Sequence, residues 1–140
     1  MKTARQIIES KPPHNNFVNG SALVFEALQV MKRENLSYVI IKEEDTFMGI
    51  VGEKEYAQKV ELEGKVAKKT LAKDIVCQNT PIITADYTSD RCLVTMNMFK
   101  TRYLPVFEDY KFIGVVTMHD LLREALKEKS NSKELVLSDF

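Results

Sequence analysis

The chain repeats itself at an offset of sixty-five residues, and that repeat constrains its fold more than any other feature. Phe17–Lys59 runs without a gap onto Ile82–Glu124. Leu28 falls on Leu93, Met31 on Met96, Tyr38 on Tyr103, Glu43 on Glu108, Phe47 on Phe112, Gly49 on Gly114 and Val51 on Val116. Upstream, ARQII at 4–8 matches AKDIV at 72–76 at an offset of sixty-eight, so the first copy carries three extra residues in its KPPHNN loop. Each copy is one supersecondary unit, and two copies are too few for a solenoid. A pseudo-twofold pair is the expected product.

Both copies show the same order of elements. Val24, Ala27, Leu28 and Met31 lie at i, i+3, i+4 and i+7, one apolar helical face, with Ser21 as the expected N-cap and Asn35 as the stop. SYVIIK and TFMGIV are short, β-branched and aromatic, and read as a hairpin around EED; a helix follows from about Glu53. The second copy gives a helix near 87–100, strands near 103–107 and 112–116 around EDYK, and a helix from about Met118. Short extended pieces at Phe17–Asn19 and Pro81–Thr84 precede the first helix of each copy. The expected fold class is therefore α+β, a β-α-β-β-α unit twice. About sixty residues bury too little surface alone, so the halves are expected to share one core. The divisions are repeat one at 1–65, repeat two at 66–128 and a tail at 129–140, whose Leu135, Val136, Leu137 and Phe140 suit docking on the body or on a second chain.

Composition removes several function classes. Twenty Lys plus Arg balance twenty Asp plus Glu, which argues against a nucleic-acid partner, since neutralising phosphates needs a basic surplus. KVAKK at 65–69 reads as a solvated linker. The longest apolar runs, YVII and FIGVV, are strand-sized and far short of a bilayer span, and MKTARQIIES lacks a signal-peptide core. A cytoplasmic protein without a membrane partner is the expectation. Cys77 and Cys92 show no metal spacing and read as reduced thiols, with redox pairing as a minor alternative. No nucleophile stands with a base, so the chain reads as a non-enzyme with no metal and no obligatory cofactor.

The chemistry concentrates where a strand gives way to a helix. Thr117-Met118-His119-Asp120 places a hydroxyl at an N-cap and a carboxylate at N3. One reading is a capping box, in which each side chain satisfies a free amide of the same turn. The other is a nucleoside phosphate across the helix end, with phosphate on the amides and two vicinal sugar hydroxyls on the carboxylate. The ligand reading requires that carboxylate to remain open beside a crevice. In the first copy the pair becomes Gly52 and Glu55, which also suits a cap.

The doubled unit, the phrases RYLPVFEDYKFIGVVTMHDLL and SYVIIKEEDTFMGIVGEKEYAQKV, and the linker through LAKDIV resemble the CBS (cystathionine β-synthase-type) domain. The chain is similar to a stand-alone tandem pair of them, a Bateman module, over about residues 3–126. The LPV strand, the G-h-h-T-x-x-D turn and the fifteen-residue spacing from Arg102 to Thr117 carry the resemblance. It implies a regulatory module that senses metabolite or energy state by binding AMP, ADP, ATP, S-adenosylmethionine or NADH in the cleft between repeats. It also implies a homodimer and a target protein. On that match Asp120 would hold the ribose and Thr117 would approach the first phosphate. Ile82, Ile83, Leu104 and Pro105 would face adenine, while Arg102, His119 and Lys54 would meet phosphates. Gly52 and Glu55 depart from the pattern and imply a degenerate first site. The alternative is a ligand-free scaffold that dimerises or docks on a partner.

Overall fold

The computed structural model of the chain describes residues 1–132, with side chains through residue 129. In chain order the elements are α1 (Ala4–Ser10), β1 (Phe17–Asn19), α2 (Val24–Glu34), β2 (Tyr38–Glu43), β3 (Thr46–Gly52) and α3 (Glu53–Tyr56). A π-helical turn (Ala57–Glu61) and two 3₁₀ turns (Ala67–Lys69 and Ala72–Ile75) follow. The chain then forms β4 (Ile83–Thr84), α4 (Ser89–Phe99), β5 (Tyr103–Glu108), β6 (Lys111–Thr117) and α5 (Met118–Ser132). The strands build two three-stranded sheets, β1-β2-β3 and β4-β5-β6, so the fold is α+β as expected. Two compact units result. Pro12–Asn79 holds the first sheet, and Met1–Lys11 together with the described residues from Thr80 on holds the second.

The units share a register. β1 runs parallel to β2 with Val18 beside Ile41, and β4 runs parallel to β5 with Ile83 beside Val106. Each hairpin then pairs a glycine with that central residue, Ile41 with Gly49 and Val106 with Gly114, and bulges at the next position. Gly49 and Gly114 have φ of 150° and 153°, values that L side chains rarely adopt. At either position a methyl group would crowd a neighbouring side chain. A Cβ on Gly49 would lie 3.0 Å from Val76 Cβ, and one on Gly114 would lie 3.1 Å from Ile8 Cγ2. Ile8 and Val76 are matched residues of the two leading segments, so each glycine lies where a leader packs against a sheet.

Those close approaches show how sixty residues complete a core. The leader of the first copy, α1, packs on the second sheet, whereas the leader of the second copy, Ala72–Ile75, packs on the first. Thr3 bridges Thr88, and Leu71 bridges Leu23. Buried apolar residues form two clusters, one per unit. Ala4 and Ile7 join Ile83, Cys92, Met96 and Leu104 in one, while Ala72, Ile75 and Val76 join Val24, Met31 and Ile41 in the other. In place of the single shared core expected from the sequence, each cluster is completed by the leader of the other copy. Ile7 and Ile75 are essentially fully buried, each contributing roughly 1.5–3 kcal/mol. Lys2 adds a bond to Glu124 of α5 at 3.3 Å, and Arg5 pairs with Glu108.

Helix starts differ from the sequence expectation at one place. α2 begins at Val24 with Leu23 in the cap position, and Ser21 is not the cap. Ser21 instead directs its amide and hydroxyl to Asn19 Oδ1, at 2.8 and 2.6 Å. The free amide of Val24 goes to the Thr70 carbonyl at 2.8 Å, a partner forty-six residues away. In α4 the cap is local, with Thr88 Oγ1 accepting from the Arg91 amide. Asn35 ends α2 in the left-handed conformation, as expected, and Lys100 does the same for α4. α5 continues through Ser132, so the segment read as a tail begins in helix; Leu135, Val136, Leu137 and Phe140 lie outside the described residues.

Candidate functional site

β6 delivers Thr117 to the mouth of α5, and one helical turn brings Asp120 back over it. The Asp120 amide donates to Thr117 Oγ1 at 3.1 Å, and the Thr117 amide donates to Asp120 Oδ2 at 2.9 Å. This is a reciprocated capping box. Two cations complete the turn. Lys11 Nζ donates to Asp120 Oδ2 at 2.7 Å and to the Val115 carbonyl at 2.7 Å. Arg123 donates to Asp120 Oδ1 at 3.2 Å. The Asp120 side chain is 4% exposed, that of Lys11 17%, and that of Arg123 48%, so the carboxylate is covered by its partners rather than open as the ligand reading expects. Burial pushes the carboxyl up, but the Lys11 bond and charge and the Thr117 bonds outweigh it and hold Asp120 below its ordinary 3.8.

Lys11 reaches this turn because of the exchanged leader. β6 is an outer strand, so its Val115 carbonyl needs a donor from outside the ladder. At the matched position of the first unit, the Ile50 carbonyl takes the Cys77 backbone amide at 3.0 Å. In the second unit α1 ends at Ser10, and the next side chain supplies the donor instead. The same ammonium then lies against Asp120. Two acceptors thus draw one cation into a position that the spacing of T-x-x-D does not reveal.

The matched turn of the first unit is half a box. The Gly52 amide donates to Glu55 Oε1 at 2.8 Å, but Gly52 has no side chain to return the bond. Glu55 is 8% exposed, and among the described residues no cation pairs with it. Lys54 lies exposed on α3 in this unit.

The sequence-derived residues of the second copy divide sharply. Thr117 and Asp120 meet. His119 and Arg102 are exposed, and the Arg102 carbonyl accepts the Met118 amide at 2.9 Å, which places Arg102 beside the turn. Of the four residues expected to face adenine, Ile83 and Leu104 turn into the core, at 1% and 0% exposure, and Pro105 is buried. Ile82 alone presents its side chain to solvent, at 59%. The matched Phe17 is 45% exposed as well, so this exposure follows the alternation of the strand. At the position matched to Pro105 the Ile40 amide bonds the Asn16 carbonyl, but proline has no N–H to give, and β4–β5 pairing starts one residue later than β1–β2 pairing. Thr117 and Lys11 both donate to Asp120 Oδ2, whereas Oδ1 accepts from Arg123.

Next to the turn, an open groove of about 610 Å³ runs along α4, lined by Leu93, Val94 and Asn97 with Lys100, Arg102 and Met118. It is large enough for a purine and adjoins Asp120 through Met118 without including it. Lys11 and Arg123 are the functional candidates that sequence reasoning missed. Cys92 is fully buried, and burial pushes its thiol up to about 11, far from a reactive thiolate. Among the described residues, no group of three or more His, Cys, Asp or Glu could hold a metal ion, and no helix is long and apolar enough to cross a membrane.

The family model of the CBS domain matches the chain twice, over residues 4–61 and 72–127. The chain belongs to the CBS domain family. Each match begins at one of the two exchanged leaders. Among solved structures, a CBS-domain protein of Burkholderia ambifaria MC40-6 is similar with a TM-score of 0.83 and 25% identity, covering 91% of this chain and 96% of that one. The CBS domain pair of protein MJ0100, in complex with 5′-methylthioadenosine and S-adenosyl-L-methionine, shares the fold with a TM-score of 0.76 at 22% identity, covering 92% and 99%. The mitochondrial CBS domain-containing protein CBSX3 of Arabidopsis thaliana is 28% identical over 110 residues, 75% of this chain and 53% of that protein. Protein MK0525 of Methanopyrus kandleri is 34% identical over 88 residues, 62% of this chain and 45% of that protein. The chain thus spans about half the length of these two curated relatives.

Proposed function

We propose that this CBS pair is a non-enzymatic regulatory module that binds an adenosyl compound at the β6–α5 turn. A sugar hydroxyl would sit on Asp120 Oδ1. The observation that carries the reading is the unequal state of the two carboxylate oxygens. Oδ2 is committed to the capping box and Lys11, whereas Oδ1 is held by one half-exposed guanidinium at 3.2 Å. A hydroxyl can replace Arg123 there without opening the helix cap. The positive end of the α5 dipole at this turn would favour an anionic group. The adenosyl ligands of the MJ0100 pair support the ligand class. Regulation then follows as a population shift, since Arg123, once released, changes the charge that α5 presents to a second chain or target.

Thermal-shift measurements with AMP, ADP, ATP, S-adenosylmethionine and NADH test the reading. A ligand about a hundredfold above its dissociation constant stabilises by about 2.7 kcal/mol, several degrees for a chain of this size. No shift with any of the five refutes it.

A second reading, a scaffold that binds no nucleotide, draws on a different observation. The capping box is complete without a ligand, and α4 and α5 expose Leu93, Val94, Leu122 and Leu126, at 47%, 58%, 47% and 36%. A homodimer or a target protein would cover that apolar row. This reading predicts concentration-dependent association by light scattering and a melting temperature indifferent to every adenosyl compound.

A further inference from the structure

We propose that Lys11 determines the charge class of the ligand, selecting phosphate-bearing adenosyl compounds over neutral or sulfonium-bearing ones. This rests on the nucleotide reading of the β6–α5 turn and narrows it. The argument is one of charge and anchoring. A single carboxylate, Asp120, faces two cations, Lys11 and Arg123, and when a ligand hydroxyl displaces Arg123, Lys11 is the cation that remains at the turn.

The two cations are held very differently. Arg123 makes one bond of 3.2 Å to Asp120 and is half exposed, so a ligand hydroxyl displaces it and solvent screens it. Lys11 makes two bonds of 2.7 Å, one to Oδ2 and one to the Val115 carbonyl, and is largely shielded. Displacing it would leave the Val115 carbonyl without this donor and Oδ2 with the Thr117 amide alone, an expensive change inside a protein. Lys11 therefore stays in place when Oδ1 changes partner. An ammonium has three donors and two of them are used, which leaves one N–H for a ligand oxygen.

The remaining N–H of Lys11 can donate to an oxygen of a 5′-phosphate, whereas a sulfonium offers it no acceptor. Arg102 and His119 are exposed, so water screens their contribution more strongly. The inference departs from the ligands of the MJ0100 pair, which are a neutral thioether and a sulfonium compound.

Calorimetric titration of the whole chain with AMP, adenosine and S-adenosylmethionine, at about 10 mM ionic strength where the Debye length is about 30 Å, tests it. The wild-type protein should bind AMP at least about tenfold tighter than adenosine and bind S-adenosylmethionine weakest. Lys11→Met should reduce the AMP-to-adenosine ratio by about tenfold, and Lys11→Arg should retain most of it. A purely structural role would weaken all three ligands alike. If Lys11→Met fails to fold, a salt series on the wild type decides: AMP affinity should fall with added salt while adenosine affinity holds. Equal binding of AMP and adenosine by the wild type, or a ratio unchanged by Lys11→Met, overturns the assignment while the nucleotide reading stands. Binding of none of the three to the wild type overturns both.

Discussion

Adding a methyl group at Gly114 tests how each sheet is completed. Its φ of 153° disfavours any L side chain, and the new Cβ would sit 3.1 and 3.2 Å from Ile8 Cγ2 and Cδ1. The backbone strain costs about 1–3 kcal/mol. The contact adds about 1 kcal/mol, the low end for overpacking, because the end of Ile8 can swing. Gly114→Ala should therefore lose about 2–4 kcal/mol. An unfolding entropy of about 2.1 cal/mol/K per residue gives about 0.3 kcal/mol/K for the chain, so the melting temperature should fall by about 7–13 °C. Ile8→Ala in the same chain removes the clash and leaves the strain, so a double-mutant cycle in urea should show a coupling of about 1 kcal/mol. Val76→Ala should couple to Gly114→Ala by no more than about 0.5 kcal/mol, as for residues without contact. Gly49→Ala should cost more than Gly114→Ala, since the atom it meets at 3.0 Å is Val76 Cβ, fixed to the backbone. Coupling of Gly114 to Val76 instead of Ile8 would refute the exchanged leaders, as would a loss below about 1 kcal/mol.

Three further outcomes follow from the sites. Asp120→Ala removes a full capping box and strips a shielded lysine of its carboxylate, so it should cost about 2–3 kcal/mol in urea unfolding, against about 1 kcal/mol for Glu55→Ala, which loses half a box. Because Asp120 titrates below 3.8 when folded, the unfolded chain binds more protons in that range. Its stabilisation is present above 3.8 and lost as pH falls through the folded value, so Asp120→Asn should flatten the acid limb of the stability–pH profile. Native-state thiol labelling should modify half-exposed Cys77 first and leave Cys92, buried with its thiol near 11, until unfolding.

What the sequence made legible was local, and what it hid was distant in the chain. The β-branched runs, the two glycines and the helical faces of α2 and α4 follow from neighbouring residues, and these suffice to specify the doubled α+β unit. Ser21 misled because the amide it was expected to cap is satisfied by Thr70, a residue with no local signal. Lys11 was invisible for a related reason. It lies in the extra loop of the first copy, yet α1 carries it to the sheet of the second, 109 residues from Asp120. The match of ARQII to AKDIV held the clue, since leaders that match each other at a different offset from the sheets need not pack on their own copies. Pro105 shows the opposite case. Its missing N–H is plain in the sequence, but the consequence, a shorter β4, depends on which strand its nitrogen would have met.

The central claim is that one of the two strand-to-helix turns takes a nucleotide and the other serves only as a helix start. Amide chemical-shift mapping by nuclear magnetic resonance during an AMP titration addresses it at both places in one sample. The account predicts saturable shifts centred on the amides of Thr117 through Asp120, with those of Gly52 through Glu55 nearly still. Shifts centred on Gly52 through Glu55, or none at either turn at millimolar AMP, would contradict it.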